Sequence, residues 1–582
     1  MAKYSDDRNI QILISVLKHN NIKKVIASPG STNMGFVASI QSDDFFEIYS
    51  CVDERSACYM ACGLAEESGE PVVLTCTGAT ASRNYMSGLT EAYYRKLPIL
   101  AVTSAQHFSK IGNNNPQSLD RTQQLKDIVN LSVQIPVINC KDDEIGVTTL
   151  INKAVIELKH RGGGPVHINI VSTSESSKNF NTTELPYTRF IDRISYEDKF
   201  PELNPKKIAI YIGAHKRIEE KLVSAIEEFC EKYNAVVLCD HTSNYYGKYK
   251  IMSNIIFDQD NYSSDNNNFQ LLIHLGDISG SYCRINCEEV WRVNQDGEVR
   301  DTFSKLTKVF EMTEFNFFKE YNKKEENLTD LSNYKRINIE YVEMKKMIEN
   351  IDFKLSNIYT AKIISKKIPN DSYMHLAILN SLRSWNYFEV KNKVHFVVNT
   401  GGFGIDGPMS TTIGASFNNK EKNYYMVLGD LAFFYDLNSL GNKNVKNNLR
   451  ILLINNGCGT EFHNYTHPAS LLGKMSEAYI AADGHFGNKS NSLVKNYVES
   501  LGFEYFSVNT KEEFNDLADY YCEPNIHEKP LVIEVFTKSE DESDSLKSIR
   551  TQKEEVKTII KNKIKNMFSD KTKKTLKRIL NK

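Results

Sequence analysis

The sequence has few of the features that mark secreted, membrane-spanning or strongly charged proteins. Its first residues, MAKYSDDRNIQILISVLKHN, lack the apolar core of a signal peptide, and none of its apolar runs is long enough to span a bilayer. The formal net charge of −2 points to no charged partner. We therefore expect a cytoplasmic protein. With 582 residues, of which 41% are apolar and 25% charged, the chain can build large globular cores.

Complete metal and dinucleotide motifs are also lacking. The eleven cysteines include two pairs spaced by four residues, Cys58/Cys62 and Cys283/Cys287, but no paired CxxC. Structural zinc sites favour tighter pairs, so we expect reduced thiols and keep zinc ligation as the minor alternative. The turn Gly213-Ala214-His215 does not complete GxGxxG, so it predicts no dinucleotide site.

Short apolar strands such as PVVLTCTGA, KIAIYIGA and RILLINN alternate with helical stretches along most of the chain. This alternation predicts parallel sheets and an α/β fold. The polar, proline-containing segment 175–205 is predicted to be a linker, and a charged helical connector is predicted at about 329–350. Three parallel-sheet α/β domains are therefore predicted, at residues 1–180, 200–330 and 350–540.

A basic C-terminal tail is predicted at residues 545–582. Its last part, residues 552–582, carries eleven Lys/Arg against three Asp/Glu, a balance of +8. Apolar residues recur there at helical spacing: Val556, Ile559, Ile560, Ile564, Met567 and Phe568. A solvated helix that packs on its own domain and a basic amphipathic helix that contacts an anionic membrane or a partner both fit this pattern. Nucleic-acid binding has no other support in the sequence.

Two short motifs follow neighbouring apolar strands in the third block. Gly429-Asp430-Leu431 comes directly after YYMVL, and Asn455-Asn456 comes after ILLI. In a parallel sheet both strand ends open into the same crevice. Either motif alone is an ordinary strand-end turn. Together, at a spacing of 26 residues from aspartate to the second asparagine, they resemble the thiamine-diphosphate enzymes, in which a GDG or GDx element precedes Asn-Asn by about this distance.

The residue types of these motifs suit a magnesium ion bound to a diphosphate. Mg²⁺ takes oxygen ligands in near-octahedral array and is usually shared with phosphates. We expect its protein ligands to be the Asp430 carboxylate, the Asn456 amide oxygen and the Cys458 backbone carbonyl. Gly457 and Gly459 would let the backbone approach the phosphates closely.

A candidate activating carboxylate lies in the first block. Glu54, within CVDERSA, stands between the strand-like FFEIYSCV and the apolar helix ACYMACGLA. Thiamine-diphosphate enzymes use a glutamate that hydrogen-bonds the aminopyrimidine ring, whose amino group then takes the C2 proton. Asp53 and Glu54 also suit the start of a helix, as an N-cap and a first-turn acid. Paired with the diphosphate motif, Glu54 is the predicted catalytic residue.

Five longer segments carry a closer resemblance: SPGS from Ser28, CVDERSA from Cys51, NY…EAYYRKLPILAVTSA from Asn84, NTGGFGIDGPMSTTIGA from Asn399 and GDLAFFYDLNSL from Gly429. Together they resemble one family, the 2-succinyl-5-enolpyruvyl-6-hydroxy-3-cyclohexene-1-carboxylate synthases of the menaquinone pathway. The resemblance covers the first and third blocks, is weak in the second and excludes the tail. It implies pyrimidine-binding, central and diphosphate-binding domains, thiamine diphosphate with Mg²⁺, and a homo-oligomer in which Glu54 faces another subunit's cofactor.

The resemblance also assigns further residues. Ile405 matches the bulky residue that bends the cofactor into a V, and Ser381 matches a diphosphate-side contact. The remaining cofactor contacts are expected at Gly404, Gly429, Leu431 and Gly459, where Leu431 replaces the commoner glycine. Substrate contacts are expected at Ser31, Gln117 and Arg284.

Several arginine positions of the family hold other residues here. Thr32, Trp385 and Thr400 occupy them, with Arg383 nearby, and Ala105-Gln106-His107 replaces the family's DRP. Arginine forks bind carboxylates bidentately, and each such hydrogen bond contributes roughly 1.5–3 kcal/mol. The sequence therefore predicts retained thiamine chemistry with a changed, less anionic substrate.

The predicted activity is decarboxylation of a 2-oxo acid, with or without carboligation to a carbonyl acceptor, outside the menaquinone pathway. The basic tail allows a setting such as cell-surface glycan precursor synthesis. The alternatives are the menaquinone-pathway synthase itself, using 2-oxoglutarate and isochorismate, and a non-catalytic scaffold. His107, His463 and His467 are candidate acid/base or acceptor contacts, with surface or structural roles as the alternative.

Overall fold

The structure is a computed structural model. It describes residues 2–78, 80–122, 124–171, 179–204, 207–280, 283–323, 331–390, 393–485 and 489–553. Within those ranges no helix is both long and apolar enough to cross a membrane. The chain divides into two compact units, Met1–Pro201 with Glu289–Thr313, and Glu202–Glu288 with Glu314–Lys582. The apolar stripe predicted for the tail lies outside the described residues.

The first sheet has six strands in the order β2-β1-β3-β4-β6-β5, and its described pairings are parallel. Its strands are β1 Lys24–Ala27, β2 Glu47–Ser50, β3 Val72–Cys76, β4 Ile99–Ala105, β5 Leu131–Ile135 and β6 Val166–Val171. The helices of this part are α1 Arg8–His19, α2 Met34–Gln41, α3 Glu54–Ser68, α4 Thr80–Asn84, α5 Met86–Arg95 and α6 Lys141–Glu157. Strands β3 and β4 are buried along their whole length, as expected when helices cover both faces.

The second sheet has seven strands in the order β10-β9-β8-β11-β12-β13-β7. They are β7 Asp192–Ser195, β8 Ile208–Ile212, β9 Ala235–Cys239, β10 Lys250–Met252, β11 Asn268–Leu275, β12 Asn286–Val293 and β13 Leu306–Glu311. The helices are α7 Glu220–Tyr233, α8 Ser253–Phe257, α9 Glu314–Asn322 and α10 Ser332–Glu349. Helix α10 lies where the charged connector was predicted.

The third sheet has the order β15-β14-β16-β17-β19-β18 and parallel pairings throughout. Its strands are β14 Tyr373–Leu376, β15 His395–Val397, β16 Tyr424–Gly429, β17 Leu449–Asn455, β18 Glu504–Val508 and β19 Leu531–Phe536. The helices are α11 Asn357–Ile364, α12 Asn380–Trp385, α13 Pro408–Ser416, α14 Asp430–Tyr435, α15 Leu493–Ser500, α16 Lys511–Tyr521 and α17 Ser539–Arg550. The predicted fold class, α/β with three parallel-sheet domains, is confirmed.

One sequence expectation needs correction. The segment 175–205 is not a plain linker, because it contributes β7, which pairs in parallel with β13 at the edge of the second sheet. The polar composition of DRIS hid this strand, which buries only one of its four residues. The acidic run that precedes the predicted tail forms the start of α17, and this helix ends at Arg550. The predicted domain boundaries stay predictions.

Candidate active site

The carboxyl ends of β16 and β17 bring the two motifs of the third sheet to one edge. The strands pair in parallel, with Gly429 opposite Ile454, so Asp430 and Asn455 each lie one position past the same pair. Gly429 is the N-cap of α14, and Asp430 is its first residue. Asn455 is the last residue of β17, and Asn456 begins the loop that follows.

Asp430 is a buried carboxylate with backbone donors around it. It is 3% exposed, and burial raises its pKa to about 7 although the backbone amides of Leu431 and Gly457 donate to it. An anion held in so dry a place is stabilised by a cation. The donor set of one carboxylate, one amide oxygen and one carbonyl fits Mg²⁺. Among the described residues, no group of three His, Cys, Asp or Glu side chains could hold a metal ion by itself.

The loop after β17 presents Asn456 and the Cys458 carbonyl. Asn456 is half-buried, and its Oδ1 accepts the Cys458 amide at 3.4 Å. The Cys458 carbonyl accepts the Thr460 amide at 3.0 Å, which leaves it one lone pair for a further ligand. Gly457 has φ +79°, a conformation that favours glycine.

Asn455 has a different partner. Its Nδ2 donates to Glu534 Oε1 at 2.7 Å, and the hydroxyl of Tyr505 donates to the other oxygen at 2.7 Å. Burial raises the pKa of Glu534. This arrangement engages the first asparagine and leaves Asn456 as the motif's candidate ligand.

Three more of the predicted cofactor residues lie on α12 and on the segment between β15 and α13. Ser381 lies at the start of α12, after β14, where its Oγ accepts Asn357 Nδ2 at 3.3 Å. A Cβ added at Gly404 would come within 2.3 Å of Asp406 Oδ1, so this position requires glycine while Asp406 keeps its place. Ile405 is partly buried against the core of the third sheet.

Glu542 is a second buried carboxylate at this edge, and the sequence did not predict it. Its two carboxylate oxygens each accept a hydrogen bond from the backbone amide of Asn357 at 3.0 Å, and Thr537 Oγ1 donates to one of them at 2.8 Å. Burial raises its pKa to about 7, and the nearby Asp430 charge adds to the shift. Glu542 thus caps the start of α11, whose Asn357 side chain contacts Ser381. It lies in an acidic run typical of an exposed surface, so no local signal marked it.

Glu54 lies in the first unit, as the first residue of α3. The Asp53 side chain caps this helix by accepting the Ser56 amide at 2.9 Å. Glu54 is half-buried, and one carboxylate oxygen accepts Asn84 Nδ2 at 3.2 Å. Capping is therefore done by Asp53, and Glu54 keeps its second oxygen for another partner.

The predicted substrate residues of the first unit lie on loops after β1 and β4. Ser31 is exposed, and Thr32 Oγ1 binds Thr77 Oγ1 at 2.5 Å and accepts the Gly78 amide at 3.0 Å. His107 is exposed, and its Nδ1 contacts Ser109 Oγ at 2.9 Å, a local cap. Gln117 is exposed with φ +60°.

Arg121 is a buried guanidinium that sequence reasoning missed. It is 4% exposed and donates to the Ser104 carbonyl at 2.6 Å and to Ser82 Oγ at 2.9 Å. Arg121 lies next to Gly78, since its Nη2 would be 3.3 Å from a Cβ added at that glycine. The backbone amide of Gly78 is the one that donates to Thr32 Oγ1. No carboxylate pairs with Arg121 among the described residues, its Nε has no partner there, and burial lowers its pKa. A buried cation held only by neutral oxygens is suited to an anionic ligand.

The arginine-related positions of the second unit are buried or occupied. The two terminal nitrogens of Arg383, Nη1 and Nη2, donate to the two carboxylate oxygens of Glu461 at 2.6 and 3.0 Å. Trp385 is fully buried and Thr400 is 6% exposed. In this structure the Arg383 guanidinium is therefore engaged by Glu461, and Trp385 packs in the interior; the substrate roles of both stay predictions.

Three other candidates of the second unit differ in exposure. Arg284 is exposed, and its backbone carbonyl accepts Asn267 Nδ2 at 2.7 Å. His467 Nδ1 accepts the Ala469 amide at 3.1 Å, which is a structural cap. His463 is half-buried, and its Nε2 has no partner among the described residues.

Comparison with known proteins adds to this geometry. Residues 9–125 match the family described as thiamine pyrophosphate enzyme, N-terminal TPP binding domain. A 2-succinyl-5-enolpyruvyl-6-hydroxy-3-cyclohexene-1-carboxylate synthase of Bacteroides thetaiotaomicron is 32% identical over 94% of this chain and 98% of its own. The synthase of that name from Phocaeicola vulgatus is 30% identical over the same shares. The chain belongs to this synthase family.

One solved structure, a Rhodococcus jostii thiamine diphosphate-dependent 4-hydroxybenzoylformate decarboxylase, covers 91% of this chain and 99% of its own. Its TM-score of 0.39 and identity of 14% are too low to carry an argument. The family membership confirms the resemblance and the thiamine diphosphate prediction, and Mg²⁺ is usual in the family. The chain is a thiamine-diphosphate-dependent enzyme of the synthase family. The roles of individual site residues stay predictions.

Proposed function

We propose that this protein catalyses the reaction of its synthase relatives, in which a 2-oxo acid is decarboxylated and the remaining unit is added to an acceptor. The first candidate substrates are 2-oxoglutarate and isochorismate. The observation that carries the proposal is the 32% identity to a named synthase over 94% of the chain. The comparisons favour this reaction over the activity outside the menaquinone pathway that the substituted arginine positions predicted.

The residues of the third sheet edge are assigned to cofactor binding. Asp430, Asn456 and the Cys458 carbonyl would hold Mg²⁺ against the diphosphate, with Ser381 and the glycine-flanked loop around it. Thiamine diphosphate, when bound, supplies the nucleophilic carbon and the electron sink for decarboxylation. Glu542 would keep α11, and through Asn357 the Ser381 hydroxyl, in place.

Glu54 is assigned the proton chemistry. Its free carboxylate oxygen would hydrogen-bond a ring nitrogen of the aminopyrimidine and hold or release a proton there. Asn84 fixes the other oxygen, which orients the carboxylate.

We assign the formation of the site to two copies of the chain. The surface beside Glu54 carries three exposed large apolar side chains: Val52 on the preceding turn, and Tyr59 and Met60 on α3. Exposed apolar side chains of this kind support an interface between copies of the chain.

A second candidate is supported by the altered arginine positions. With Trp385 buried and Arg383 paired to Glu461, the acceptor side has fewer free cations than the family pattern implies. Arg121 would then be the main cation for the carboxylate of the 2-oxo acid. A 2-oxo acid decarboxylase or carboligase with a less anionic acceptor is consistent with this set.

Incubation of the full chain with thiamine diphosphate, Mg²⁺, 2-oxoglutarate and isochorismate tests the choice. We expect release of CO₂ and formation of the ligated product, which mass spectrometry detects. Glu54→Gln should lower kcat by roughly 10²–10⁴-fold with cofactor affinity little changed. The matched control is Glu66→Gln on the exposed part of α3, which should retain full activity.

Turnover of other 2-oxo acids without any of 2-oxoglutarate would favour the second candidate and exclude the first. If calorimetry detected no thiamine diphosphate binding in the presence of Mg²⁺, both candidates would fail. Equal rates for Glu54→Gln and the native chain would exclude the assigned role of Glu54.

A further inference from the structure

A cavity of about 60 Å³ that opens to solvent lies within the second unit. Its walls come from the segment after β8, the start of α7, the turn after β9 and the amino ends of β14 and β15. The predicted cofactor residues of the third sheet follow the carboxyl ends of its strands, so the cavity lies at the opposite edge of that sheet. None of the roles assigned above uses it.

The second sheet contributes to the cavity through the carboxyl ends of two neighbouring strands, β8 and β9. Arg217 and Ile218 follow β8, and Asn244 and Tyr246 follow β9. Ligands of open α/β sheets bind outside the carboxyl ends of strands.

The floor of the cavity is held by backbone-directed hydrogen bonds. Asn244 accepts the Phe396 amide at 2.8 Å and donates to its carbonyl at 3.0 Å. The Tyr246 hydroxyl donates to the Val394 carbonyl and accepts the Val394 amide. The rings of Tyr246 and His395 and the Ile218 side chain give this rigid floor apolar surface.

The rim of the cavity carries two cations and two carboxylates, which form two ion pairs. Arg217 Nη2 lies 3.7 Å from Asp371 Oδ1, and Lys393 Nζ lies 2.7 Å from Glu220 Oε1. All four are more than half exposed, so each pair contributes little to stability and exchanges readily for a ligand. A simple anion would have to compete with the carboxylates already present. A zwitterion can bind a cation and a carboxylate at once.

We propose that this cavity binds a small zwitterion, an α-amino acid with an apolar side chain. Its carboxylate pairs with Arg217 and Lys393, and its ammonium pairs with Asp371 and Glu220. Its side chain lies on the floor formed by Tyr246, Ile218 and His395. The binding is independent of the reaction proposed above and needs neither thiamine diphosphate nor substrate.

Isothermal titration calorimetry of the full chain with L-leucine and L-phenylalanine tests the proposal. At least one should bind with a dissociation constant below about 1 mM. The single-charge analogues 4-methylpentanoate and 3-methylbutylamine should bind at least about tenfold more weakly than L-leucine, because each lacks one half of the charge pairing.

Two variants locate the site. Arg217→Ala and Asp371→Asn should each weaken amino-acid binding by about tenfold or more. Asn tolerates the left-handed backbone that Asp371 adopts, at φ +59°, so the second variant keeps its local fold. The matched control is Lys221→Ala, an exposed cation of α7 that pairs with Glu219 and does not line the cavity, and it should bind as the native chain does.

Failure of both amino acids to bind would overturn the proposal. So would equal binding by a single-charge analogue, tighter binding of inorganic phosphate, or unchanged binding by Arg217→Ala. Because binding is measured without cofactor or turnover, each of these results is separate from success or failure of the proposed reaction.

Discussion

Buried charged side chains are the residues of this protein whose environment is most informative. Asp430 and Glu542 are carboxylates whose pKa burial raises to about 7, and Arg121 is a guanidinium whose pKa burial lowers. Burying such groups costs free energy unless a partner compensates. For Asp430 the expected partner is Mg²⁺, and for Arg121 it is the carboxylate of the substrate.

Arg121→Gln tests that expectation. The amide can keep a hydrogen bond to the Ser104 carbonyl but carries no charge, so the KM of the 2-oxo acid should rise roughly 10–100-fold with kcat changed far less. Steady-state kinetics over a range of donor concentrations measures both constants.

The control for this variant is Arg95→Gln, an exposed arginine of the same unit that pairs with Glu66. It should leave both constants unchanged. An equal fall in kcat with no change of KM for Arg121→Gln would contradict the role in substrate binding.

At the scale of elements, α17 connects the cofactor edge to the residue that follows α8. Near its start Glu542 accepts the Asn357 amide, and at its end Arg550 binds Asp258 at 2.5 Å. The sequence predicted neither contact, because both join residues far apart in the chain. What it did predict locally, such as the strand ends that carry Asp430 and Asn456, was correctly placed.

Glu542→Gln should change how stability depends on pH. The folded protein holds a proton on Glu542 more tightly than the unfolded chain, since burial raises the pKa from 4.5 to about 7. The free energy of unfolding therefore falls as pH rises through this window. Glutamine mimics the neutral acid and does not ionise. Over this pH range the free energy of unfolding of the variant should therefore decrease by roughly 1–3 kcal/mol less than that of the native chain.

Denaturant unfolding of the cofactor-free chain at pH 5 and pH 8 measures the difference. Glu540→Gln, an acid of the first turn of the same helix, is the control and should follow the native chain. Identical pH dependence in Glu542→Gln and the native chain would exclude a raised pKa at Glu542.

At the scale of the whole molecule, the proposed site requires two copies. Met60 is 56% exposed on the apolar surface of α3 beside Glu54. Met60→Glu would place a charge in the interface, so analytical ultracentrifugation should show mainly monomer and turnover should fall at least about 100-fold.

Ile339→Glu is the control for this variant, because Ile339 is 63% exposed on α10 in the other unit. It should keep the oligomeric state and the activity. A monomeric Met60→Glu protein with full activity would show that one chain suffices for catalysis.

The sequence by itself determined the three parallel sheets, the family and the placement of the two cofactor motifs. These depend on local alternation of apolar strands with helices and on short motifs that directly follow strands. Only the tertiary structure decided which charges are buried and which are paired. The carboxylate partner of Arg383, the burial of Arg121 against the Ser104 carbonyl and the burial of Trp385 arise from contacts between distant segments, so no local pattern could reveal them.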